Sequence, residues 1–247
     1  MANAARVAVV TGGGSGIGRA VAKELSSQNC HVCICDLDEG SVLRVAAELG
    51  ADGYPASAWK MDVTDAAMVR RIFRDIADRM GPVSILVTSA GIPGHGEIPD
   101  MDDGAWQRVM DVNLSGVFYC MRESLAQMLP AHFGSIVNIS SICGIMGCAS
   151  SPAYSASKAG VIGLSKACAR KYTRDGIRIN VVAPGLVDTP FVEPDRRMGK
   201  LSAGIEKVPM GRMGTAEEIA SLVAFLCSEK AAFIAGQVIS PNGGQLI

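Results

Sequence analysis

The chain has 247 residues, a length that suits one large α/β domain. Lys and Arg number 23 against 24 Asp and Glu, so the formal net charge is −1 and nothing in the charge favours nucleic acid or an anionic membrane. Hydrophobic residues make up 49 % and charged residues 19 %, which excludes global disorder and permits a large core.

Glycine accounts for 28 of 247 residues, an excess over the usual ~7 %. No collagen-like period accompanies it, so the glycines are expected where backbone geometry matters. The uncharged stretch His132–Ser157 holds seven Ser and one Asn, too polar for a membrane span. The N-terminal MANAARVAVV has no apolar core longer than a strand, so no secretory signal is expected. The eight cysteines show no Cys/His cluster at zinc spacing, and no metal site is expected. Reduced, mostly buried thiols and a cytoplasmic location follow as expectations.

In chain order, Arg6–Thr11 reads as a strand that stops at glycines, and Ile17–Ser27 as a helix. His31–Asp36 is the next strand, and Leu43, Ala46, Ala47 and Leu49 mark the next helix face. Trp59–Val63, Val83–Thr88, Ser135–Ser140 and Ile177–Val182 are further predicted strands. Asp65–Arg79, Asp103–Met128, Ala153–Tyr172 and Thr215–Ser228 are predicted helices, and Gly236–Ser240 an edge strand. Val- and Ile-rich strands separated by helices predict an α/β fold, a doubly wound parallel sheet of about seven strands with helices on both faces.

The first strand runs into Thr11-Gly-Gly-Gly-Ser-Gly-Ile-Gly18 and then a helix. Gly12 permits the tight turn, Gly16 clears room for a pyrophosphate, and Gly18 lets the helix pack against the sheet. Free N–H groups at the helix start favour a diphosphate. Asp36 closes the second strand, where its carboxylate can accept from both ribose hydroxyls. A 2′-phosphate would be repelled there, and neither Leu37 nor Ser15 offers a positive charge. The sequence therefore predicts NAD rather than NADP.

Tyr154 and Lys158 stand at i and i+4, on one face of a predicted helix. An ammonium near a phenol favours the phenolate and moves the tyrosine toward proton exchange near neutral pH. Ser141 ends the segment IVNISS at the carboxyl end of a predicted strand, 13 residues before Tyr154, and is expected to face the same crevice as the glycine loop. The neighbouring Ser140 is an alternative hydroxyl.

TGGGSGIG at 11–18, Asp36, Asp62-Val63, Ala90-Gly91, Asn113 in DVNLSG, Ser141 in NISS, Tyr154 and Lys158 in YSASK, Pro184-Gly185 and Thr189 occur in this order. With these motifs the chain resembles the short-chain dehydrogenase/reductase family over nearly its whole length, as a single Rossmann-type cofactor-binding domain across residues 1–247. The resemblance implies that Tyr154 is the general acid/base, that Ser141 orients the reacting oxygen, and that Lys158 binds the nicotinamide ribose and lowers the tyrosine pKa. It implies that Asn113 holds a water linking Lys158 to solvent. Gly12, Ser15, Gly16, Ile17, Gly18, Asp36 and Leu37 would surround the dinucleotide. Asp62 and Val63 would meet the adenine. Ala90, Gly91, Pro184, Gly185 and Val187 would line the cofactor, with Thr189 on the carboxamide. Thr88-Ser89-Ala90-Gly91 departs from the family's usual Asn-Asn-Ala-Gly, and Ser89 is expected to replace an asparagine bond across the sheet.

In the family the segment at about 186–213 forms a substrate lid. Here it is apolar and Met-bearing, which suits a hydrophobic substrate. It also carries Arg196, Arg197, Lys200 and Lys207, which could meet phosphates, interleaved with Glu193, Asp195 and Glu206. His95 lies in a pocket-bordering loop, either as a substrate contact or as an idle surface residue. Cys143 and Cys148 flank the crevice, with nothing to suggest covalent chemistry. The reading that follows is an NAD(H)-dependent oxidoreductase of secondary alcohols and ketones. A 3-oxoacyl thioester reductase or 3-hydroxyacyl-CoA dehydrogenase is the alternative, and a non-catalytic NAD-binding regulator a remote one. A homotetramer is expected from the resemblance.

Overall fold

The computed structural model describes residues 5–199 and 201–247. Lys200, one of the basic residues of the 186–213 segment, lies outside the described residues. Seven strands form one sheet: β1 (Arg6–Thr11), β2 (Cys30–Asp36), β3 (Ala56–Lys60), β4 (Val83–Thr88), β5 (Gly134–Ile139), β6 (Ile177–Val182) and β7 (Val238–Ile239). All neighbours are parallel, in the order β3-β2-β1-β4-β5-β6-β7. The order reverses beside β1, and such a reversal opens a crevice at the carboxyl ends of the strands.

Strand periodicity builds the two layers. Ala8 and Val10 point to one face with Ile34, where α1 (Gly16–Ser26), α2 (Glu39–Ala51) and α10 (Ala216–Cys227) supply Val21, Leu25, Val42, Val45 and Val223. Val7 and Val9 point to the other face with Cys33 and Cys35. There α3 (Ala66–Met80), α5 (Gly116–Ala131) and α7 (Pro152–Tyr172) supply Phe73, Met121 and Val161. Both faces are covered, as a fully parallel sheet requires.

Three sequence expectations are corrected. The third strand is Ala56–Lys60, earlier than the expected Trp59–Val63. Met61 and Val63 are buried loop residues that carry the chain toward the crevice, so their apolar character is not a strand signal. On α2 the buried face is Val42, Val45 and Leu49, whereas Leu43 is exposed. The single helix expected over Asp103–Met128 is α4 (Asp103–Met110) and α5 joined by a π-helical turn at Asp111–Ser115. The remaining helices α6 (Cys143–Met146), α8 (Glu193–Arg197) and α9 (Leu201–Ile205) are short and lie around the crevice mouth.

The cysteines also differ from expectation in one pair. Cys143 and Cys148 are joined as a disulfide, and the other six are free, five of them buried. Cys30 and Cys33 have C-x-x-C spacing, but an odd separation on β2 sends them to opposite faces of the sheet.

Candidate active site

A cavity of about 670 Å³ opens along the carboxyl ends of β1, β2, β4, β5 and β6. That volume suits a small-molecule or cofactor site. Its two ends are built differently.

At one end the glycine loop turns from β1 into α1. Gly12 and Gly16 hold positive φ of 65° and 49°. A Cβ at Gly12 would lie 2.7 Å from Ala90 N, and one at Gly18 would lie 2.1 Å from Gly12 O. Gly18 therefore packs the helix onto the loop and does not line the cavity. Ser15, at the N-cap of α1, makes no side-chain capping bond, so the first helical N–H groups remain for an anion. Asp36 ends β2, where its carboxylate accepts from Gly14 N at 3.1 Å and Asp38 N at 3.2 Å. Asp36 and Leu37 both line the cavity. A nucleoside diphosphate fits this cradle: a clear backbone approach, open N–H groups and a carboxylate at ribose reach.

Asp62 and Val63 line the same end. Asp62 Oδ1 also accepts from Thr64 N at 2.9 Å and Thr64 Oγ1 at 2.7 Å, a turn that fixes its carboxylate. Ala90 and Gly91 follow β4. The link across the sheet is made there by the Ser89 backbone N–H, which donates to Thr11 O at 3.1 Å and to the Thr11 hydroxyl Oγ1 at 3.2 Å. Thr11, the first residue of the glycine motif, pairs with Thr88 on β4 and so ties the two strand ends together. Pro184, Gly185, Val187 and Thr189 leave β6 and line the far wall, and the Gly16 Cβ position is 3.3 Å from Thr189 Cβ.

The polar side chains meet midway. Ser141 follows β5, and Tyr154 and Lys158 project from α7 into the cavity wall. Ser140 is committed elsewhere, since its hydroxyl donates to Lys158 O at 2.9 Å. Lys158 is buried, donates from Nζ to Ile139 O at 2.9 Å, and sits 5.6 Å from the Tyr154 ring centroid. Burial pushes the Lys158 ammonium down to about 8. Burial pushes the Tyr154 phenol up to about 12, and the Ser141 hydroxyl partly offsets this. The sequence expectation of a tyrosine lowered by the neighbouring ammonium is thus outweighed here by desolvation.

Asn113 is fully buried behind this wall, in the π-helical turn. Its Oδ1 accepts from Ile92 N at 2.8 Å, and its Nδ2 donates to Ile92 O at 3.0 Å and Ser157 Oγ at 3.1 Å. A Cβ at Gly91 would sit 3.3 Å from Asn113 Oδ1 and 3.5 Å from Lys158 Nζ, so the side chains approach each other across Gly91. The π turn is the device that rotates Asn113 inward; such single turns recur at functional sites.

The other end of the cavity is lined by side chains. Phe191 packs its ring 5.6 Å from that of Tyr154. His95 lines the wall, with Nδ1 3.0 Å from Ser151 Oγ and Nε2 4.0 Å from Asp195 Oδ1. Arg196 is paired with Asp188 and, at 3.2 Å, with Glu193, and Arg197 with Glu193 at 3.4 Å. Lys207 lines the cavity. The described residues include no cluster of metal-ligating side chains and no helix long and apolar enough to cross a membrane.

Comparison with known proteins gives a consistent assignment. The short chain dehydrogenase family profile matches residues 6–200. The chain is 41 % identical to cis-4-hydroxycyclohexanecarboxylate dehydrogenase of Sinomonas cyclohexanicum, covering 98 % of this chain and 96 % of that protein. It is 38 % identical to the 3-oxoacyl-[acyl-carrier-protein] reductase of Salmonella typhimurium, covering 97 % and 96 %. The crystal structure of gox2181 superposes with a TM-score of 0.95 at 35 % identity, covering 97 % of this chain and 95 % of that one. The chain belongs to the short-chain dehydrogenase family, enzymes that bind a nicotinamide cofactor and interconvert alcohols and ketones.

Proposed function

We propose that the protein is an NAD-dependent secondary-alcohol dehydrogenase or ketone reductase with Tyr154 as its general acid/base. The observation that carries this reading is the convergence of Ser141, Tyr154 and Lys158 on one cavity whose dinucleotide end is lined by the Asp36 carboxylate. A bound nicotinamide supplies or accepts the hydride.

The protein's own groups handle binding and the proton. The open N–H groups of α1 hold the diphosphate, and Asp36 accepts from the adenosine ribose hydroxyls and repels a 2′-phosphate. Asp62 and Val63 flank the adenine; Ala90, Gly91, Pro184, Gly185, Val187 and Thr189 hold the nicotinamide half. Ser141 donates to the substrate oxygen. Tyr154, held protonated by burial, gives its proton to the alkoxide as a ketone is reduced. In the other direction it must first lose that proton, so alcohol oxidation rises with pH. Lys158 orients the nicotinamide ribose, and Asn113 links Lys158 toward solvent.

The whole chain acts as one cofactor-binding domain, with residues 186–213 as the lid over the substrate. Phe191 and Leu186 favour an apolar substrate body. A thioester substrate is the second reading. Lys207 on the cavity wall favours it, as does the name of the acyl-carrier-protein reductase relative. The exposed Phe118 on α5 and Phe225 on α10 support a homotetramer.

The test is NADH and NADPH oxidation at 340 nm with acetoacetyl-CoA and a cyclohexanone carboxylate. Turnover with NADH at least about tenfold above NADPH supports the reading. Equal use of both cofactors would remove the role given to Asp36.

A further inference from the structure

Cys143 and Cys148 stand five residues apart in the loop that leaves β5 and re-enters the fold as α7. They are the joined pair among eight cysteines, and both line the cavity. The other cysteines sit on strands and on helices of the two core layers. The disulfide is therefore placed where the chemistry is, away from the core.

Three contacts connect the closed loop to the reacting groups. Cys143 N donates to Ser141 Oγ at 3.1 Å. Cys148 N donates to Ser155 Oγ at 2.9 Å, one residue beyond Tyr154. A Cβ at Gly144 would lie 2.6 Å from Lys158 C and 2.9 Å from Ala159 N, so the loop lies directly on the backbone of α7. A serine hydroxyl has one proton and two lone pairs. With a lone pair of Ser141 engaged by Cys143 N–H, its proton is left to donate on the cavity side, toward the Tyr154 hydroxyl or a substrate oxygen, and the accepted bond polarises it as a donor.

We propose that the Cys143–Cys148 disulfide is a positioning element for Ser141: by closing the loop it holds the Cys143 N–H on Ser141 Oγ and so sets the direction of the catalytic hydroxyl. This rests on the role given to Ser141 above. Opening the disulfide frees the 143–148 loop, and the orienting bond is made only part of the time. The chemistry is ordinary thiol exchange with a dithiol. One thiolate of dithiothreitol attacks a protein sulfur, the S–S bond breaks, and a second attack releases the reductant as a cyclic disulfide. The protein gains two electrons and two protons as two thiols. Both sulfurs belong to half-buried residues facing the cavity, within reach of such a reagent. In a reducing compartment a disulfide of this kind acts as a sensor more than a staple.

The experiment compares the intact enzyme as isolated, after dithiothreitol, and after reoxidation with oxidised glutathione, with alkylation and mass mapping to count thiols at Cys143 and Cys148. Loss of one neutral orienting bond predicts that kcat falls about three- to tenfold on reduction. The KM for NADH stays fixed, and reoxidation restores kcat. Cys148→Ser should show the same lowered kcat and no response to reductant, with NADH binding reporting that it is folded. Full kcat in an enzyme whose Cys143 and Cys148 are both alkylated would overturn the proposal. That outcome is distinct from failure of the underlying site reading, which would appear as undiminished turnover in Tyr154→Phe whatever the state of the cysteines.

Discussion

The two ends of the cavity are built from different materials. The dinucleotide end is backbone: positive-φ glycines, open N–H groups and one carboxylate at a strand end. The substrate end is side chains on loops: Phe191, His95, Ser151, Lys207 and a cystine. Backbone geometry leaves a spacing signature in a sequence, because only certain residues tolerate it. A pocket wall made by side chains on loops leaves none, because many residues can line it. The polar wall of Ser141, Tyr154 and Lys158 joins the two ends, and each end can be broken separately.

Lys158→Met strikes both ends and is expected to have the largest effect. It removes the amine that serves the ribose and the phenol, so kcat should fall about 10²–10⁴-fold and NADH should bind more weakly. Steady-state kinetics with a fluorescence titration of NADH measures both. A variant that loses kcat while binding NADH normally would confine the lysine to the tyrosine.

Asp36→Ala affects the dinucleotide end alone. Losing bonds from a charged acceptor should weaken NAD about tenfold to a hundredfold and relax discrimination against NADP. Substrate KM at saturating cofactor should not change. An unchanged NAD/NADP ratio would mean that specificity is set elsewhere.

The thiols offer a test of the layers beneath the site. Burial pushes Cys33 up to about 11 and Cys120 and Cys227 up to about 12, from an ordinary value of 9.0. Above pH 9 the unfolded chain loses these protons while the folded chain keeps them. Stability is then intact below about pH 9 and is lost as pH rises toward the folded values. The slope is about 1.4 kcal/mol per pH unit for each thiol. Urea midpoints at rising pH should fall in this window, less steeply in Cys120→Ala. The Cys143–Cys148 disulfide has no thiol to titrate and adds nothing to the slope.

Phe191→Ala touches only the substrate end. It should raise KM for an apolar ketone about fivefold to tenfold, with NADH affinity unchanged, through loss of a buried aromatic contact. A change in NADH affinity instead would show that the 186–213 segment closes on the cofactor.

Much of this was legible in advance for a physical reason. Six of seven strands lie within two residues of their expected limits, because fully buried parallel strands read as Val- and Ile-rich runs between glycines. The third failed because Met61 and Val63 are apolar for the sake of the crevice, so hydrophobicity there reports burial without pairing. The π turn at Asp111–Ser115 was invisible, since one extra residue per turn changes no residue type. Every residue read as a cofactor contact lines the cavity except Gly18, which packs beneath it. The disulfide was missed because composition speaks for the whole chain, while a disulfide depends on the distance between two particular loop residues. Helical spacing reveals the charge beside Tyr154 but not the depth of its burial, which pushes the phenol up.

The most direct measurement is ketone reduction at 340 nm by wild type and Tyr154→Phe, each at saturating NADH, with NADH binding followed by fluorescence. Proton donation from Tyr154 predicts that the variant binds NADH as tightly as wild type and loses about 10²–10⁴ in kcat. A Tyr154→Phe enzyme that reduces the ketone at the wild-type rate would contradict it and move the acid to another group on the cavity wall.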